Sequence, residues 1–170
     1  RADIIGSLGY NVIISNFSEY YKLVHYFTEF TKNKTKIALG MGVNNLLEVF
    51  NPNYYENLPG GIMEAFGKLF KKNVVVYLYP YLDKENNELL TSDNLKVSEN
   101  LKELYKFFKF NQRIKDIENY DPANLNIYSR KILEQIGKCE EGWEEHLPAG
   151  VADMIKDRGM FGYSSTYAIS

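Results

Sequence analysis

The run Val74-Val75-Val76-Tyr77-Leu78-Tyr79 constrains the fold more than any other stretch of this chain. It is apolar at every position and ends at Pro80, which cannot donate to a strand ladder. A strand with one wet face alternates apolar and polar side chains, whereas an unbroken apolar strand is covered on both faces. That pattern predicts a central strand of a parallel sheet, and parallel neighbours require crossover helices between them.

The remaining periodicities supply those elements. Residues 11–15 (Asn-Val-Ile-Ile-Ser) form a short apolar run that reads as a buried strand. Ser18 is placed to cap a helix on which Tyr20, Leu23, Val24 and Phe27 share one face. Residues 36–39 read as a second strand, closed by Gly40-Met41-Gly42, and a helix over 44–50 is broken by Asn51-Pro52-Asn53. Pro59-Gly60-Gly61 opens a helix with Ile62, Ala65, Phe66 and Leu69 on one side. After the long apolar strand, residues 81–94 are polar and read as a surface excursion or hairpin. A helix over 98–110, a strand over 114–117, a brief extended piece at 125–127, and helices over 129–137 and 148–158 complete the chain. The order predicts one three-layer, Rossmann-like α/β domain over residues 1–170, with a mainly parallel sheet.

Composition excludes several classes. With 20 Lys and Arg against 22 Asp and Glu, a net charge of −2 and a pI near 5.8, nothing points to nucleic acid or an anionic membrane surface. Cys139 is the only cysteine, so no intrachain disulfide exists and a reducing, cytoplasmic setting is expected. No apolar run has membrane-spanning length. His25 and His146 lack Cys, His or carboxylate partners at ligand spacing, so no metal site is expected. Acidic neighbours Glu140 and Glu141 disfavour a reactive thiolate at Cys139.

In open α/β sheets, ligands sit at the carboxyl ends of strands. That rule selects Ser15 and Asn16, Gly40 and Gly42, Pro80-Tyr81, and the turn ending in Ser129 and Arg130. Gly40-x-Gly42 lets backbone amides approach a phosphate, or serves as a tight turn at positive φ; Asn45 stands where a dinucleotide fingerprint needs its third glycine. Ser15-Asn16 reads equally as a cap. Ser129 and Arg130 open a helix, whose unpaired amides and dipole welcome an anion. A guanidinium there opposes the dipole, so it calls for a bound anion or for a local carboxylate such as Asp121 or Glu134. Tyr77, Tyr79 and Tyr81 alternate and offer either a stacking platform or core packing. Asp116, Glu118 and Asp121 cluster in sequence as candidate paired carboxylates or as solvated acids.

The tail Ile127-Tyr128-Ser129-Arg130-Lys131-Ile132, followed by Leu147-Pro148, Val151, Ile155 and Met160-Phe161, resembles the C-terminal part of nicotinate/nicotinamide-nucleotide adenylyltransferases. The resemblance implies an ATP-phosphate turn at Ile127, Ser129 and Ile132, on a nucleotidyltransferase-like fold. Tyr128, Arg130 and Leu133 depart from the family's turn, and its His-x-Gly-His pair is absent from the chain. A second resemblance rests on 12–21, 54–70, 77–80 and Phe161-Gly162-Tyr163. These segments are similar to the C-terminal region of a longer, uncharacterised bacterial family labelled nicotinate-nucleotide adenylyltransferase or TonB-dependent receptor. The receptor label conflicts with an alternating α/β chain. The two resemblances imply the C-terminal part of a longer protein: a nucleotide-binding, adenylyltransferase-like domain, catalytically incomplete, with ATP or another nucleotide as its ligand. The readings set beside it are a non-catalytic homo-oligomerisation or interaction domain, and an enzyme of another class on the same fold.

Overall fold

The computed structural model describes residues 1–31, 35–71 and 73–164, and the chain divides into two compact units, Asn16–Tyr120 on the one hand and Arg1–Ser15 with Asp121–Ser170 on the other.

The larger unit carries the sheet. β1 (Ile37–Gly42), β2 (Val74–Tyr79) and β5 (Ile114–Asp116) are parallel in the order β1-β2-β5, so the apolar run Val74–Tyr79 is the central strand. Ile37, Leu39 and Met41 stand opposite Val74, Val76 and Leu78, and Val76 in turn faces Ile114. These side chains point to one face, where they meet the buried faces of four helices: α2 (Tyr20–Phe30), α3 (Val43–Val49), α4 (Gly61–Leu69) and α5 (Lys102–Phe110). Phe66 anchors this core, within 6.1 Å of the rings of Phe50, Tyr55, Phe70 and Phe108. The segment after β2 folds as the expected hairpin, β3 (Tyr81–Asp83) against β4 (Glu88–Leu90).

The mixed α/β class and the parallel sheet are therefore present; among the described residues the buried strand side chains, Met41, Val74, Val76, Leu78 and Ile114, all lie on one face, while Val75, Tyr79 and Lys115 on the opposite face are half-buried. On the other face Ala38, Gly40, Gly42 and Tyr77 are exposed, and a side-chain carbon added at either glycine would meet nothing within 4 Å.

Three local expectations are corrected. Residues 11–15 form no strand: they are irregular, with Ile13 67% and Ile14 85% exposed. β-branched composition favours extended backbone, yet a strand also needs a ladder partner and a surface to cover. Leu125 and Asn126 belong to a 3₁₀ turn (Pro122–Asn126) opened by Asp121, whose carboxylate accepts the Ala123 N–H; of the expected extended piece only Ile127 is extended, and it joins no sheet. Ser18 does not cap α2; its hydroxyl donates to the neighbouring Glu19 carboxylate, and Glu19 holds the cap position.

The helix opening at Pro59-Gly60-Gly61 forms as expected, and the i,i+4 spacing of Glu64 and Lys68 gives the surface pair it predicts, while the bond from Gly60 to Glu64 is not legible in that spacing. Glu64 accepts the Gly60 N–H at 3.1 Å and pairs with Lys68 at 2.6 Å, so one carboxylate holds both the first turn and the next. The Lys68 ammonium first, and the Gly60 amide second, keep that carboxyl below its ordinary range.

The regular structure of the smaller unit is helical among its described residues, α1 (Ala2–Ser7), α6 (Ser129–Gly137) and α7 (Val151–Asp157) with short 3₁₀ turns, and the irregular stretch 10–15 also belongs to it. Its centre is Trp143, fully buried with Ile132, Ile136, Val151 and Ile155. Gly150, at φ +77°, precedes α7 in a left-handed conformation that only glycine adopts at little cost.

Candidate functional site

The site is built where the hairpin returns to the edge strand. Beyond β4, Ser92 is buried, and its N–H and hydroxyl both donate to the Asp116 carboxylate, at 2.8 and 2.6 Å. The Tyr105 hydroxyl, from α5, donates to the Ser92 carbonyl at 2.8 Å. Burial, with the carboxylates of Asp116 and Asp93 nearby, pushes the Tyr105 phenol above its ordinary range, so it stays protonated and keeps donating. Asn94 closes the turn, accepting the Thr91 N–H and donating to Glu88 and the Leu89 carbonyl. Loop 91–95 is thereby fastened to β5 and α5 together.

Two adjoining clefts flank this loop, and Ser92, Asp93 and Lys109 line both. Lys109 forms an ion pair with Asp93 at the boundary. The first cleft, about 560 Å³, runs along β5 and past its carboxyl end. Tyr77, 36% exposed, and Lys115 line it from opposite positions on β2 and β5, together with Gln112, Glu118 and Asn119. The second, about 660 Å³, lies between residues 92–99 and α5.

The expected site residues fall in different places. Gly40 and Gly42 continue β1, and neither has positive φ; Gly42, at φ −82° and ψ 168°, precedes α3 in extended conformation. The tight left-handed turn expected there is absent because the strand runs through both glycines. Ser15 and Asn16 lie in the exposed irregular stretch. Ser129 and Arg130 are exposed at the start of α6, in the smaller unit, while Gly40 and Gly42 belong to the larger one. Among the described residues Arg130 forms no ion pair, and the carboxylates proposed to hold it, Asp121 and Glu134, do not do so.

Of the three clustered acids, Asp116 and Glu118 line the first cleft, and Asp121 belongs to the other unit. Asp116 is held by two bonds from Ser92, which makes it a structural acceptor and not a free base. Among the described residues no three His, Cys, Asp or Glu side chains converge as a metal-binding group. His25 is exposed and lies 3.3 Å from Glu29 at i+4, so it does have one carboxylate neighbour, contrary to expectation. Sequence reasoning missed Ser92, Lys109, Gln112 and Lys115. Only the position of Lys115 within a short strand gave a hint, because the bond from Ser92 to Asp116 spans 24 residues.

No family profile, curated protein or solved structure matches the chain. No helix among the described residues is long and apolar enough to cross a membrane.

Proposed function

We propose that this chain is a nucleotide-binding domain of adenylyltransferase-like type that lacks a complete catalytic set of its own, and that the nucleotide lies in the cleft along β5. One observation carries the reading: an exposed aromatic ring and two ammonium groups, Tyr77, Lys115 and Lys109, line one cleft of about 560 Å³. That volume lies within the usual span of small-ligand sites. Stacking of a base on such a ring contributes about 1–3 kcal/mol. Gln112 and Asn119 add neutral donors and acceptors, and Glu118 adds an acceptor suited to sugar hydroxyls. Lys115 favours a phosphate at its end of the cleft; of the three lining carboxylates, Asp93 is paired with Lys109 and Asp116 is bonded by Ser92, which leaves Glu118 for the sugar.

The chain has no His-x-Gly-His, so the reading assigns it binding and no transfer step. Titration calorimetry with ATP, AMP and a dinucleotide tests it. Saturable binding that weakens about tenfold in both Tyr77→Ala and Lys115→Ala is expected, each substitution removing on the order of 1.4 kcal/mol. Arg130→Ala is the parallel arm. If it alone abolishes binding, the nucleotide sits at the start of α6 and the cleft assignment fails; no binding at millimolar nucleotide ends the reading altogether.

The exposed run at 10–17 favours a second reading, the homo-oligomerisation domain. Tyr10, Ile13 and Ile14 place three large apolar side chains in solvent along one short stretch.

A further inference from the structure

The second cleft has a composition that the nucleotide reading does not use. Lys102, Lys106 and Lys109 lie on successive turns of α5, so one stripe of that helix presents three ammonium groups to the cleft. Lys96 enters from the loop across it and forms no ion pair among the described residues. Against these four cations the lining holds two acids, Asp93 and Glu99, paired with Lys109 and Lys102, while Glu103 pairs with Lys106 from outside the lining. The floor is apolar: Leu95 and the Tyr105 ring are buried there, and Val97 is partly buried and packed against the core. Like charges converging from two elements on one cleft repel one another, and a low-dielectric floor strengthens the potential they focus.

We infer that this cleft is a binding site for a small organic anion with an apolar body, its hydrocarbon on Leu95, Val97 and Tyr105 and its carboxylate or phosphate among Lys96, Lys102 and Lys106. Both halves of the ligand are specified. An inorganic anion leaves the floor wet, and an uncharged hydrocarbon leaves the Lys96 ammonium without a counter-charge and the excess of lysines over acids in the lining uncompensated. The cavity of about 660 Å³ has room for a body of medium chain length.

The probes are decanoate, decyltrimethylammonium and inorganic phosphate, titrated into the full chain, with amide shift mapping by NMR and affinities by calorimetry. Decanoate is expected to shift the amides of 95–97 and of α5, and to bind at least about tenfold more tightly than either comparison compound. Lys96→Ala and Lys106→Ala, both at exposed positions, are each expected to weaken decanoate about fivefold, the ordinary scale for one exposed charge contact. Lys109 is left intact because it also lines the nucleotide cleft, so failure here leaves the nucleotide reading standing and the reverse also holds. Equal binding of the cationic analogue, equal binding of phosphate, shifts confined to other surfaces, or affinity unmoved in both lysine variants would each overturn the assignment.

Discussion

Phe66→Ala is the sharpest test of how the larger unit holds together. Phe66 is 2% exposed on α4 and meets four other rings: Phe50 at 4.9 Å and 73°, Phe70 at 5.4 Å and 80°, Phe108 at 5.5 Å and 72°, and Tyr55 at 6.1 Å and 76°. All four are edge-on arrangements, the geometry that the ring quadrupole prefers. Removing the phenyl group forfeits about 2–3 kcal/mol of transfer free energy. A residual cavity of roughly 80 Å³, at about 24 cal/mol per Å³, adds about 2 kcal/mol. The total, about 4–5 kcal/mol, is at the upper end of what Phe truncations cost and is a large part of the stability of a unit of about a hundred residues. Urea denaturation followed by far-UV circular dichroism reads it: the midpoint falls by about 2 M for a slope near 2 kcal/mol/M, with the slope unchanged. Phe107→Ala is the control, since Phe107 is 58% exposed on α5 and its loss should cost under about 1 kcal/mol. A loss below about 1.5 kcal/mol for Phe66, or an equal loss for Phe107, refutes the assignment of the core to this face of the sheet.

Two further outcomes are expected. Burial pushes the Tyr55 phenol up to about 12 and raises Tyr105 as well, so the folded chain retains protons that the unfolded chain loses from about pH 10. Their stabilisation is full below pH 10 and is lost as pH rises toward 12; in an ultraviolet titration two tyrosines should ionise only with unfolding, and early ionisation of all 14 would contradict the burial. Tyr55→Phe removes its share of that decline, at about 1 kcal/mol at neutral pH for the lost 2.8 Å bond to the Val49 carbonyl. If the run at 10–17 is an oligomer surface, light scattering of the parent chain shows a mass above one copy, and Ile13→Asp with Ile14→Asp reduces it to one; a parent that is monomeric throughout removes that reading.

What the amino-acid order determined by itself was local. The apolar run Val74–Tyr79 became the central strand within the bounds its composition sets, and α6 began at Ser129 and ended at Gly137 as its periodicity requires. Hydrophobic period and glycine or proline punctuation act over a few residues, so they are readable from those residues alone. The same signals misjudged residues 11–15, because three β-branched neighbours are compatible with a strand but do not supply the partner that makes one. Gly40 and Gly42 looked like a turn because glycine permits positive φ; permission is not requirement, and the ladder to Tyr77 and Tyr79 keeps both extended. Only the tertiary structure decided the rest: that the helices of the larger unit pack on one face of the sheet, and that Ser92 is drawn onto Asp116. It likewise gathered Lys96 with the stripe of α5 around one cleft. Those are contacts between residues far apart in the chain, fixed by which apolar faces bury one another, and no window of sequence carries that information.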